Sequence, residues 1–164
     1  MELISYTGHV NQVSPLDVSV PVVPLHLRGG TVLPLQAPAL NTALSRQNNF
    51  TLLVALDANS TASGDIFLDD GDSLDTVGRG EFLLGSVRVA AGLVTMTVRK
   101  DGAGETRPIE TVSILGLAGP VSSVTVNGVP HSDWRYSNGG LDIDKGLYID
   151  ICSQQDLTYN RFFG

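Results

Sequence analysis

What most limits the fold of this chain is a succession of short, β-branched segments cut apart by turn residues, with no helical stripe longer than a turn or two. "FTLLVALD" from Phe50, "DIFL", "EFLLGSVRVA", "LVTMTVRK", "IETVSILGL", "SSVTV" and "LYIDIC" are rich in Val, Ile, Thr and Phe, the residues that suit a pleated, half-buried surface. Val18, Val20 and Val22 alternate with Asp17, Ser19 and Pro21, which predicts a strand with one buried face, at an edge because of the proline. "FTLLVALD" is apolar almost without interruption and predicts a strand covered on both faces. "AAG" at 90–92 joins two runs closely enough for a tight hairpin, and "VNGV" at 126–129 places Asn-Gly where a type I′ turn needs positive φ at both central residues. Strands of this length and spacing predict an all-β chain built as an antiparallel β-sandwich.

The organisation is uneven. Residues 37–164 hold enough strands for a closed two-sheet domain, whereas residues 1–36 hold too few to bury a core alone. The first stretch therefore reads as a remnant of a second sandwich, and the opening "ELISYTG" as cut from something longer. Stripped of partners, Val18, Val20, Val22, Leu25 and Leu27 would be partly exposed, an aggregation or dimerisation liability.

Charge narrows the partners. The formal net charge is −7 and the ten basic residues are scattered, which argues against nucleic acid, whose phosphates call for clustered Lys and Arg. No apolar run reaches the ~18–20 residues of a membrane span, and no basic-then-apolar signal peptide opens the chain. The lone Cys152 offers neither an internal disulfide nor a metal cluster. Two sequons, Asn49-Phe50-Thr51 and Asn59-Ser60-Thr61, make Asn49 and Asn59 candidates for N-glycosylation if the chain is secreted.

The densest polar cluster is "FLDDGDSLD". Asp69, Asp70, Asp72 and Asp75 could ligate calcium, which takes about six to eight oxygens from a flexible loop. Against this, Gly71 comes too early for an EF-hand and no Glu closes the loop, so a β-hairpin turn is the simpler reading. A glycosidase acid/base pair needs two carboxylates facing each other about 5–10 Å apart across a substrate, and neighbouring turn residues seldom supply that. His9, His26 and His131 lack zinc-binding spacing. His26 and Arg28 share one strand face with Pro24, either as a contact surface or as solvated residues. Arg46, within Ser45–Gln47, needs carboxylate or carbonyl partners if buried. No G-x-S-x-G elbow and no phosphate-cradling loop occurs. Trp134 and Tyr136, with Tyr148, could stack on a sugar face, or the first two could plug the end of the sandwich.

Together "PLHLRGGTVLPLQAPALNTALSRQ", "GDIFLDDGDSLDT" and "GEFLLGSV" resemble the C-terminal region of glycoside hydrolase family 31, nearest its eukaryotic α-glucosidases. The likeness lies in an "HxRGGxIxPxQ-x-P-x-x-NT-x-x-SRQ" pattern over His26–Gln47 and a "FxDDGxSxDT" pattern over Phe67–Thr76; "TVSILGLAGPVSSVTVNGVP" extends it. Leu68 departs from the tryptophan that precedes the Asp pair in lysosomal and intestinal members. The resemblance implies a catalytic (β/α)8 barrel followed by a proximal and a distal β-sandwich. Residues 1–36 would end the proximal domain and 37–164 would form the distal one. The family's W-x-D-M-N-E nucleophile motif is absent, so the resemblance implies no catalytic residue and no cofactor in this chain. It implies an inactive segment that docks on the barrel and the proximal sandwich of a retaining α-glucosidase. The alternative is a module tethering α-glucan through Trp134 and Tyr136. With the sequons, the resemblance also suggests a secreted or lysosomal protein.

Overall fold

The computed structural model describes residues 26–104, 106–144 and 147–161; the expectations for His9, Pro21, Val18, Val20, Val22 and Leu25 lie outside them. Eleven strands and two single-turn helices follow in the order β1 (Thr31–Gln36), α1 (Thr42–Ser45), β2 (Phe50–Ala55), β3 (Ala62–Leu68), α2 (Thr76–Arg79), β4 (Leu83–Ala90), β5 (Leu93–Lys100), β6 (Ile109–Leu115), β7 (Val121–Val126), β8 (Val129–His131), β9 (Trp134–Ser137), β10 (Gly140–Ile143) and β11 (Gln155–Arg161). No helix among the described residues is long and apolar enough to cross a membrane.

The all-β expectation holds. Hydrogen bonding, however, runs through one eleven-stranded sheet in the order β8-β7-β11-β5-β4-β3-β1-β2-β6-β10-β9. Not every pair is antiparallel: β2 and β6 run parallel from Phe50↔Ile109 to Ala55↔Leu115. The reason is topological. The chain leaves β2, builds β3, β4 and β5, and returns beside β2, and a crossover of that length is what a parallel pair requires. The sheet is nearly closed. Its two edge strands, β8 and β9, are separated in sequence only by Ser132 and Asp133, so the sheet ends lie within about 10–11 Å of one another along the chain.

Turn chemistry sets the hairpins. Asn127 and Gly128 both have positive φ, at 50° and 78°, and join β7 to β8 as the Asn-Gly pair predicts. Ala91 (50°) and Gly92 (80°) do the same between β4 and β5, the alanine at a strain of about 1 kcal/mol. Asn138 and Gly139 repeat the device between β9 and β10.

One apolar core runs through the molecule. Leu52 and Val54 of β2, Val112 and Ile114 of β6, and Leu141 and Ile143 of β10 join Leu83, Val87 and Val89 of β4, Val94 and Met96 of β5, and Leu157 and Tyr159 of β11. Leu52, Ile109 and Val112 line the same small void, about 10 Å³, as Val87, Met96 and Leu157. The β2–β6 side thus faces the β4–β5–β11 side across the core. β2 is covered less completely than its apolar run predicts: Phe50, Leu52 and Val54 are buried, but Thr51 and Leu53 only half so.

"LYIDIC" buries like a strand and pairs hardly at all. Leu147, Ile149 and Ile151 point into the core, yet the backbone makes only the Ile109↔Ile149 bridge. Asp150 then captures the Cys152 N–H at 2.9 Å and turns the chain. Conversely, β9, β10 and β11 are strands that the pattern of runs does not reveal.

Candidate functional site

The two stretches singled out separately in the sequence, Ser45–Gln47 and Asp69–Asp75, form one structure. The first is a self-bonded loop around α1. Asn41 caps the helix by accepting the Leu44 N–H at 2.9 Å, and the Ser45 hydroxyl accepts the Ala39 N–H at 2.9 Å. Asn48 donates to the Ala37 carbonyl at 2.7 Å, and Gln36 at the end of β1 donates to the Asn48 carbonyl at 2.7 Å. This folding-back holds Arg46 toward the β3–β4 connection.

There the Arg46 guanidinium donates to the Asp69 backbone carbonyl and lies 3.4 Å from its carboxylate. Gly71 sits under the guanidinium: a Cβ at this position would overlap Arg46 Nη1. Its φ of 70° also belongs to the left-handed region. Turn formation and the close approach of the arginine therefore both call for glycine here.

The aspartates are engaged by their own loop. Asp69 accepts from the Thr76 hydroxyl and the Gly71 N–H, both at 2.9 Å; Thr76 is buried. Asp70 accepts from the Asp72 N–H at 3.1 Å, the Ser73 N–H at 3.0 Å and the Ser73 hydroxyl. Asp75, itself at φ 59°, caps α2 through the Gly78 N–H at 3.2 Å. Arg79 bonds Glu81 and the Leu74 carbonyl. The connection spans Asp69 to Phe82 and carries α2, so it is longer than the hairpin turn expected from its Asp and Gly content. Among the described residues, no group of three or more His, Cys, Asp or Glu is placed to hold a metal ion.

These bonds set the electrostatics. The Ser73 hydroxyl, then the Ser73 and Asp72 N–H groups, hold the Asp70 carboxyl below the ordinary carboxylate value, at about 2. The Thr76 hydroxyl, then the Gly71 N–H and Arg46, lower that of Asp69 against an opposing effect of burial. Depressed carboxylates stabilise the loop fully above their unfolded value near 3.9 and lose that contribution as pH falls through the folded value. Acidification from about pH 4 to pH 2 is therefore expected to release the 69–76 turn. The check is an NMR titration of the Asp72 and Ser73 amides. Ser73→Ala should move the Asp70 midpoint upward; an unmoved midpoint would refute the assignment.

Beside the Arg46–Asp69 joint lies an open depression of about 470 Å³ bounded by Gln36, Arg46, Gln47, Phe50, Phe67, Leu68, Asp69, Asp70, Thr106 and Arg107. Phe67 stacks on Phe82, their ring centroids 5.4 Å apart. The surface carries both charge signs over an apolar floor, and its carboxylates, Asp69 and Asp70, are engaged by N–H and hydroxyl groups of their own loop and by Arg46.

Other sequence candidates lie elsewhere. Trp134 and Tyr136, on edge strand β9, are half-buried and pack against the core, while Tyr148 is 69% exposed. His131 Nε2 is 3.0 Å from the Asp144 carbonyl oxygen, and His26 is exposed at the start of the described chain. Cys152 lies 3.1 Å from the Thr106 hydroxyl. Asn59 is exposed on the β2–β3 turn, whereas Asn49 is half-buried.

No family model matches the sequence. Among curated proteins it is 38% identical over 159 residues to intestinal sucrase-isomaltase of Homo sapiens, covering 90% of this chain and 9% of that protein. It is 38% identical to an α-glucosidase of Schizosaccharomyces pombe, covering 81% of this chain and 13% of that one. With the lysosomal α-glucosidase of Mus musculus it shares 36% identity, over 82% of this chain and 14% of the other. The chain thus spans between 9% and 14% of these relatives' length. Among solved structures, the Tris-bound glucosidase II α subunit superposes with a TM-score of 0.65 at 21% identity, over 82% of this chain and 17% of that one. A Flavobacterium johnsoniae dextranase gives 0.63 at 13% identity, over 82% and 19%. The β-rich fold of this chain thus matches a part of larger glucosidases and of a dextranase. The chain belongs to glycoside hydrolase family 31.

Proposed function

We propose that this chain is the non-catalytic C-terminal segment of a retaining α-glucosidase, docking on and stabilising the catalytic barrel. The observation that carries the reading is the exposure of large apolar side chains on the segments that Arg46 ties together. Leu40 is 97% and Leu74 87% exposed, and Leu44, Phe67 and Val77 are exposed beside them in sequence, with Leu33 and Leu35 on β1. Apolar surface rimmed by charged loops suits a face covered by another domain. The length of the matched relatives leaves room for that domain in the intact protein. Under this reading, terminal α-linked glucose is hydrolysed in the barrel by double displacement between two facing carboxylates.

The curled sheet is read as a flattened two-layer sandwich, the β2–β6 side over the β4–β5–β11 side. The proximal-to-distal joint is read after Gln36, with residues 1–36 ending the proximal domain and 37–164 forming the distal one; Thr31–Gln36, which pairs with β2 along its whole length, then carries the joint onto the distal sheet. Passage through a secretory or lysosomal lumen is supported by the sequons and by relatives named as lysosomal and intestinal.

The test is to express the chain and the remainder of its enzyme separately and mix them. The chain alone should not cleave a chromogenic α-glucoside, and should stabilise the remainder on mixing. The combined Leu40→Ser, Leu74→Ser and Val77→Ser variant should associate at least about tenfold more weakly, about 1.4 kcal/mol. Turnover by the chain alone, or unaltered association of the variant, would overturn the reading. Maltooligosaccharide binding abolished by Trp134→Ala or Tyr136→Ala would favour the α-glucan tether instead.

A further inference from the structure

The structure separates the two sequons, and we propose that Asn59, and not Asn49, is the N-glycosylation acceptor of this chain. The inference rests on the luminal route proposed above. Asn59 stands on the turn between β2 and β3, which is closed without its side chain. The Asp57 carboxylate accepts the Asn59 N–H at 2.9 Å, the Thr61 N–H at 2.8 Å and the Thr61 hydroxyl at 3.0 Å. Backbone bonds from Ser60 N–H to the Asp57 carbonyl and from Asp57 N–H to the Thr61 carbonyl, each 3.0 Å, complete it. These contacts lower the Asp57 carboxyl, the Thr61 N–H most of all. The Asn59 carboxamide takes no part in them and is exposed to solvent. A sugar on its Nδ2 therefore displaces no bond of the fold.

Asn49 is placed differently. Its Nδ2 donates to Glu110 Oε2 at 2.8 Å, tying the entry of β2 to β6. The next residue, Phe50, is buried, and its N–H is held by the Pro108 carbonyl at 2.8 Å. Thr51 then lies mid-sheet, paired to Leu35 of β1 and Thr111 of β6. A glycan on this nitrogen would have to grow from the seam between two strands and against Glu110.

The co-reactant is an oligosaccharide linked through a diphosphate to a polyprenyl lipid. Nδ2 of Asn59 forms a bond to C1 of the first sugar, and the C1–O bond to the diphosphate breaks. The lipid diphosphate leaves with the bonding electron pair, and one amide proton passes to a base of the transferase.

The experiment directs the full chain into the secretory pathway of a eukaryotic host with an added signal peptide and an appended C-terminal sequon. Only chains that a lectin retains through the appended glycan are counted, so every chain scored has entered the lumen. Peptide mass spectrometry after deglycosylation in H₂¹⁸O reads each site. Occupancy at Asn59 should exceed that at Asn49 by about tenfold or more. Asn59→Gln should remove one glycan's mass from the intact protein and Asn49→Gln should leave it unchanged. An unoccupied Asn59, or Asn49 occupied as fully, would overturn the proposal. The luminal route itself is tested apart from this, by locating the untagged protein in its own cells.

Discussion

Replacing Gly64 with alanine is expected to destabilise the fold by about 3 kcal/mol, at the upper end for an added core methyl. Gly64 lies on the inward side of β3 between Ala62 and Ile66, where β1 comes alongside through the single parallel pair Thr31↔Ser63. A Cβ on Gly64 would overlap the Val32 backbone carbonyl and sit 3.0 Å from the Val32 Cβ. Val32 is 4% exposed and cannot turn aside, and its neighbours on β1 are fixed by pairing with β2 from Thr31↔Ala55 to Gln36↔Phe50. The strain has to be absorbed by separating β1 from β3, the seam between the two halves of the sheet. At roughly 2–4 °C per kcal/mol for a domain of this size, thermal unfolding should fall by about 6–12 °C. Ser63→Ala, one residue away and pointing outward, should change it little. A Gly64→Ala protein melting within a degree or two of the parent would show that β1 and β3 are not held this closely in solution.

That seam also shows where sequence reasoning stops. The hairpins at Ala91-Gly92 and Asn127-Gly128 were legible because a type I′ turn is decided by its own central residues. β4 and β5 were legible through long β-branched runs. The parallel pairing of β2 with β6 was not, since it joins residues some sixty positions apart and nothing in either run names its partner. β9 and β10 are four residues each, too short for alternation to register. β11 shows only Leu157 and Tyr159 as buried apolar positions among polar neighbours. "LYIDIC" misleads in the other direction, because side-chain alternation reports which face is buried and is silent on whether the backbone finds a partner. Val18, Val20 and Val22 belong to the part of the chain not described. The candidate site follows the same division. Arg46 and the Asp69–Asp75 run were each conspicuous by residue type, and the family resemblance rests on the two stretches that contain them. Their joining is a contact between two loops, which has no period to read.

That joining yields the second large expected effect. Gly71→Ala should destabilise the β3–β4 connection by more than its backbone strain alone, which is about 1–2 kcal/mol for a left-handed φ. The excess arises because the new methyl would occupy the position of Arg46 Nη1. The guanidinium is the far end of a flexible side chain and can move away, so the overlap itself is relieved cheaply. What is lost is its bond to the Asp69 carbonyl and its approach to the Asp69 carboxylate. In an Arg46→Ala background that loss has already occurred and the three atoms nearest the new methyl are gone, so Gly71→Ala should there show the backbone strain only. The difference between the two backgrounds is the coupling that a double-mutant cycle isolates. Denaturant unfolding of the four proteins measures it, and hydrogen exchange at Ser73 locates it in the loop. Strict additivity would mean that Arg46 does not hold Asp69 in solution and that the glycine serves the turn alone. Non-additivity, combined with weaker association of Arg46→Ala with the remainder of the enzyme, would tie the joint to the apolar residues around it. Leu44 and Leu74 are carried on the two loops the arginine connects, and a docking face made from both loops requires that they be held in register before the partner domain arrives.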